Sequence, residues 1–137
     1  VATGGSPQGA LVADELGLPF VYVRSAPKDH GLENLVEGDL KPGQKIVVIE
    51  DLVSTGGSSL KAVKALRSAQ ADVLGMLAIF TYGFPVAEQK FDEDDVKLMT
   101  LSNYTAVLQH LLETNKIGEA ELEVLKSWRE NPGEWGK

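Results

Sequence analysis

The stretch that most constrains the fold is Val47-Val48-Ile49-Glu50-Asp51-Leu52-Val53-Ser54-Thr55-Gly56-Gly57-Ser58-Ser59. An apolar run meets two adjacent carboxylates, passes through a hydroxyl- and glycine-rich turn, and continues with Leu60, Val63 and Leu66 at helical spacing. The pattern predicts a strand over 45–50 and a helix over 59–69. Residues 73–80 are almost wholly apolar apart from Gly75. A run that does not alternate predicts a strand covered on both faces, as in a parallel sheet.

The flanking segments fit the same plan. Residues 9–16 suit a helix that stops at Gly17, with Pro19 preventing continuation. Residues 20–23 read as a strand and 24–42 as a long loop of the kind that carries function. Residues 86–95 form a mixed, acidic connection that starts as a helix, and 96–101 a short strand. Residues 104–114 and 119–130 read as helices, with Leu108, Leu111, Leu122 and Leu125 on their apolar sides. The expectation is one α/β domain over 1–137: a doubly wound central parallel sheet, helices on both faces, and helices at the C-terminal end. Ligands of such sheets bind at the carboxyl ends of the strands. Thr3-Gly4-Gly5, Arg24 onward, Glu50-Asp51 and Thr81-Tyr82 all fall there.

The formal net charge of −7 argues against nucleic acid and anionic membrane as partners. A small anion would need local compensation from lysines, helix starts or a divalent cation. The chain has no cysteine, which excludes disulfides and thiolate metal sites and fits the cytoplasm. It opens Val1-Ala2-Thr3 with no initiator Met, like the end of a strand passing into a loop, and the expectation is that an N-terminal portion of the native protein is missing.

Carboxylates can face sugar hydroxyls or a hydrated metal. A glycine turn at a helix start can surround a phosphate with N–H groups, and Ser54, Thr55 and Ser58 add hydroxyl donors. The Lys-Ser/Thr of a Walker loop and the Gly-x-Gly-x-x-Gly of a dinucleotide loop are both absent. The reading is a site for a phosphorylated sugar. A second constellation, Arg24-Ser25-Ala26-Pro27-Lys28-Asp29-His30-Gly31, places cations where a leaving anion could be stabilised. His30 can change charge near neutral pH. His110, the acidic run Asp92-Glu93-Asp94-Asp95, Trp128 and Trp135 read as surface or packing residues.

Residues 47–59 closely resemble the phosphoribosyl pyrophosphate (PRPP) signature of type I phosphoribosyltransferases, and segment 24–31 resembles the catalytic loop of the orotate-specific members. The resemblance implies a type I phosphoribosyltransferase-like fold and transfer of 5-phosphoribosyl from PRPP to orotate, giving orotidine 5′-monophosphate and pyrophosphate in pyrimidine biosynthesis. It implies that Glu50 and Asp51 hold the ribose, with Asp51 also catalytic. Ser54, Thr55, Gly56, Gly57 and Ser58 would hold the 5-phosphate. Thr3, Gly4 and Gly5 would hold the pyrophosphate, and Arg24, Lys28 and His30 would act in catalysis. Mg²⁺ is the implied cofactor, bound by PRPP oxygens rather than by a protein metal site. A homodimer is implied, with segment 24–31 reaching the neighbouring active site, and residues before Val1 are implied to cover the base. Some relatives have a lysine at the place of Gly4, a second basic residue at Ser25, and an orotate-contacting arginine in the region Phe80-Thr81-Tyr82-Gly83-Phe84, which here contains none. A purine phosphoribosyltransferase and a non-catalytic PRPP-binding regulator are the alternatives.

Overall fold

The computed structural model describes residues 1–26 and 35–135. Their elements run α1 (Gly5–Leu16), β1 (Tyr22–Val23), β2 (Val36–Glu37), β3 (Lys45–Val53), α2 (Gly57–Ser68), β4 (Asp72–Thr81), α3 (Pro85–Glu93), β5 (Leu98–Asn103), α4 (Tyr104–Glu113) and α5 (Glu119–Glu130), with a 3₁₀ turn at Pro132–Glu134. Strands β3, β4 and β5 form a parallel sheet in that order. Strand β1, within the residues expected to be a strand, pairs antiparallel with β2, which lies in the segment expected to be a loop.

The core lies on one side of the sheet. Val48, Val53, Met76 and Ala78 of the strands pack with Leu60, Val63 and Leu66 of α2 and with Ala87 and Phe91 of α3. These α2 positions are the helical-spacing residues, so the amphipathic stripe packs into this core. Helix α1 lies against β3, where a side chain on Gly9 would touch Ile49 Cβ. A second cluster joins α4 to α5: Tyr104, Leu108 and Leu122 are buried, and the Tyr104 hydroxyl donates to the Leu125 carbonyl at 3.1 Å.

Two expectations change. The apolar run of β4 is not covered on both faces. Met76 and Ala78 are buried, while Leu77 and Ile79 are 42% and 41% exposed and, across the register, Met99 and Leu101 of β5 are 56% and 87% exposed. Parallel partners share a face, so these side chains form one open apolar surface. Trp128 packs as expected, edge-on to Tyr82 at 5.5 Å between ring centroids, whereas Trp135 is half exposed.

Helix α2 supplies Leu60, Val63 and Leu66 to the core against the sheet. Leu66→Ala should cost about 2–5 kcal/mol, the usual range for emptying a buried leucine site. Leu66 is 2% exposed. Urea unfolding of the two proteins measures the difference, and a loss below about 1 kcal/mol would place the attachment elsewhere.

Candidate active site

β3 runs to Val53, so the acidic pair sits inside the strand and not at its end. Neighbouring strand residues ordinarily point to opposite faces, yet the two carboxyls stay in contact and both lie beside the first loop, Glu50 Oε1 near Gly5 and Asp51 near Gly4. Glu50 turns toward α2, where Oε2 accepts the Ser59 hydroxyl at 2.9 Å and Oε1 accepts the Asp51 N–H at 3.1 Å. It is 4% exposed. Asp51 is half-buried and lies against Gly4; a Cβ on Gly4 would land on its carboxylate. A Cβ on Gly5 would meet the β3 backbone, Ile49 O at 2.8 Å and Glu50 Cα at 3.0 Å. The two glycines therefore let the first loop lie directly on the acidic strand, a close approach that only glycine permits.

The turn after β3 is shaped by Gly56. Its φ of 78° is left-handed, and a Cβ there would also meet the Phe91 ring at 3.0 Å. Gly57 opens α2 into free space, with nothing within 4 Å of a Cβ built on it. No side chain caps this helix. Its first hydrogen bond is Leu60 N–H to the Gly56 carbonyl, 2.9 Å, which leaves the amides of Gly57, Ser58 and Ser59 at an uncapped positive helix end. Lys90, on α3, reaches the Thr55 carbonyl of the same turn at 3.4 Å. The start of α1 also lacks a side-chain cap, but the Gly5 and Ser6 amides are taken by the carbonyls of Val1 and Thr3. Ser6 Oγ is buried there without a hydrogen-bond partner among the described residues.

Arg24 follows β1 and pairs with Glu37 of β2 at 3.2 Å, both side chains about 30% exposed. Lys28 and His30 lie outside the described residues. The structure thus brings Thr3, Gly4, Gly5, Glu50, Asp51 and the turn 54–58 to one end of the sheet. It holds Arg24 on the β1–β2 pair. Ser59 and Lys90 were not singled out by sequence. The spacing of Ser59, nine residues after Glu50, carries no signal until strand and helix are folded together.

Burial pushes the Glu50 carboxyl above its ordinary value, and its contact with the Asp51 carboxyl adds to the rise; the Ser59 hydroxyl, the Asp51 N–H and the Val1 ammonium oppose it. A folded-state value above the unfolded one means that the stabilising contribution is complete below the ordinary 4.5 and is lost as pH rises through the folded value. Glu50→Gln, which keeps the shape and removes the charge, should therefore melt higher than the parent at neutral pH, with the gap closing toward about pH 4. Thermal melts across pH test this; a gap that does not change with pH would remove the buried charge as its cause.

Comparison with known proteins agrees with this arrangement. Residues 1–113 match the family model of the phosphoribosyl transferase domain. The orotate phosphoribosyltransferase of Phocaeicola vulgatus is 64% identical over 135 residues, covering 98% of this chain and 64% of the relative. That of Porphyromonas gingivalis is 62% identical, covering 99% and 65%. The chain therefore spans just under two thirds of the length of these relatives. Among solved structures, orotate phosphoribosyltransferase from Aeropyrum pernix superposes with a TM-score of 0.72 at 35% identity, over 81% of this chain and 62% of that one. Adenine phosphoribosyltransferase from Leishmania tarentolae shares the fold, with a TM-score of 0.61 at 22% identity over 76% and 59% of the two chains. A glycine-shaped turn after an acidic strand and the match over residues 1–113 lead to one conclusion: the chain belongs to the phosphoribosyl transferase domain family.

Proposed function

We propose that this chain carries the PRPP-binding part of an orotate phosphoribosyltransferase, which transfers 5-phosphoribosyl from PRPP to orotate and releases pyrophosphate. The observation that carries the reading is the junction of β3 with α2: a carboxylate strand leading into an uncapped helix start with open space at Gly57. The relatives, more than 60% identical and named for this reaction, support orotate as the acceptor.

The roles follow from the chemistry of each group. Amides of Gly57, Ser58 and Ser59 and the hydroxyls of Ser54, Thr55 and Ser58 hold the 5-phosphate, with the α2 dipole favouring its charge. Asp51 accepts the ribose hydroxyls, and its negative charge favours the cation-like sugar as pyrophosphate departs. Glu50 contributes by fixing the strand to α2 through Ser59. Thr3, Gly4 and Gly5 border the pyrophosphate. Lys28, Arg24 and His30 stabilise it as it leaves, His30 by donating a proton. No covalent nucleophile is needed.

Mg²⁺ fits the hard oxygen donors here, since it keeps substrate oxygens and waters and needs few protein ligands. Among the described residues no cluster of three His, Asp or Glu side chains could cage a metal. Mg²⁺ would be held by the oxygens of PRPP and would supply positive charge against its phosphates, with Asp51 available to accept from its waters. The working enzyme is read as a cytoplasmic homodimer in which segment 24–31 reaches the neighbouring site. No helix among the described residues is long and apolar enough to cross a membrane.

Asp51→Asn should weaken binding of Mg·PRPP about tenfold or more, on the order of 1.4 kcal/mol, without lowering the melting temperature. Titration calorimetry tests this, and parental affinity in the variant would remove Asp51 from the site. In a protein of the relatives' length, loss of orotate absorbance with Mg·PRPP should report the reaction. There Lys28→Ala should cut turnover by about a hundredfold, the scale of a lost transition-state charge. Unchanged turnover would remove segment 24–31 from the chemistry.

A further inference from the structure

One peptide unit, between Thr55 and Gly56, lies at the centre of the turn that joins β3 to α2. Its two polar groups differ in their surroundings. The Thr55 carbonyl accepts from Lys90 Nζ at 3.4 Å, and among the described residues Lys90 is its only donor. The Gly56 N–H meets no acceptor among the described residues. A trans peptide sends its oxygen and its N–H in opposite directions. Holding the oxygen on α3 therefore turns the N–H away from that helix.

This peptide needs an outside tie. Gly56, at φ 78° and ψ −5°, has the angles of the second central residue of a type II turn. Turning the preceding peptide over converts them to type I angles, and glycine accepts both. Lys90 is carried by a helix that is itself fixed. Ala87 and Phe91 of α3 are buried in the core, and the Phe91 ring lies against Gly56. No carboxylate pairs with the Lys90 ammonium among the described residues. Lys90 and Gly57 also line one groove of about 300 Å³ between α2 and α3, so the ammonium stands beside the helix start.

We propose that Lys90 is a positioning residue: by holding the Thr55 oxygen it presents the Gly56 N–H as a fourth amide of the phosphate site, beside those of Gly57, Ser58 and Ser59. The proposal rests on the phosphoribosyltransferase reading and adds to it a residue of α3 that acts through the backbone. An amide already aimed at the phosphate has no ordering left to lose when the ligand arrives, which raises affinity.

Ribose 5-phosphate carries the phosphate without the pyrophosphate and serves as the probe beside Mg·PRPP. Titration calorimetry, melting curves and amide NMR spectra compare the parent with Lys90→Met and Lys90→Arg. Saturation of the parent should move the Gly56 amide proton downfield together with those of Gly57 and Ser58. Lys90→Met should melt with the parent and bind both ligands about tenfold more weakly, the scale of one hydrogen bond to a charged group. At saturation it should lose the Gly56 response and keep those of Gly57 and Ser58. Lys90→Arg should recover affinity and the Gly56 response in part. An ammonium acting by charge alone would leave the Gly56 response intact in Lys90→Met. A merely structural lysine would lower the melting temperature and also leave that response intact. Either result, parental affinity in Lys90→Met, or a parent whose Gly56 amide ignores the bound ligand would overturn the proposal. A parent that binds neither ligand would instead overturn the phosphoribosyltransferase reading, and this proposal with it.

Discussion

The hydrogen bond between Ser59 and the buried Glu50 carboxylate joins the two halves of the site. Removing a carboxylate from water costs several kcal/mol even after the protein relaxes. The Ser59 hydroxyl and the Asp51 N–H return part of that, each bond to a charged group being worth roughly 1.5–3 kcal/mol. The interaction is therefore a poor source of net stability. Its effect is geometric: it fixes the strand that carries Asp51 to the helix whose open amides are the proposed phosphate site. Leu60, Val63 and Leu66 bury the same helix on the same sheet, so apolar packing supplies the stability and the carboxylate supplies the register.

How far the sequence was readable varies with the range of the interactions concerned. Residues 119–130 read as a helix and α5 has those bounds, because Gly118 precedes it, its apolar residues keep helical spacing, and Asn131-Pro132 ends it. The α2 stripe was equally plain. Strand β1 was readable in the run 20–23, but its partner β2 was not: two residues carry no periodicity, and the pairing is set by contacts outside the segment. The acidic pair was readable as chemistry but misplaced in geometry. Taken as a strand end, the pair would project beyond the sheet; inside β3 both carboxyls stay beside the first loop, Asp51 against Gly4 and Glu50 near Gly5, with Glu50 also bonded to Ser59. The open face of β4 escaped for a related reason. An unbroken apolar run records that both faces are apolar and says nothing about what covers them.

The charge balance resolves in the same local way. A chain of net charge −7 is a poor host for a polyanion if its charges are averaged. Averaging is wrong at this scale, because the Debye length at physiological salt is about 8 Å and distant exposed carboxylates are largely screened. What a phosphate at the β3–α2 turn meets first are three uncapped amides and the Lys90 ammonium on the neighbouring helix. Asp51 stands close enough to matter, yet a sugar's hydroxyls separate it from the phosphate and turn its charge toward the carbon that becomes positive. A net acidic chain can thus be a poor host for nucleic acid while the proposed sugar-phosphate site stays favourable, because the two interactions are decided at different distances.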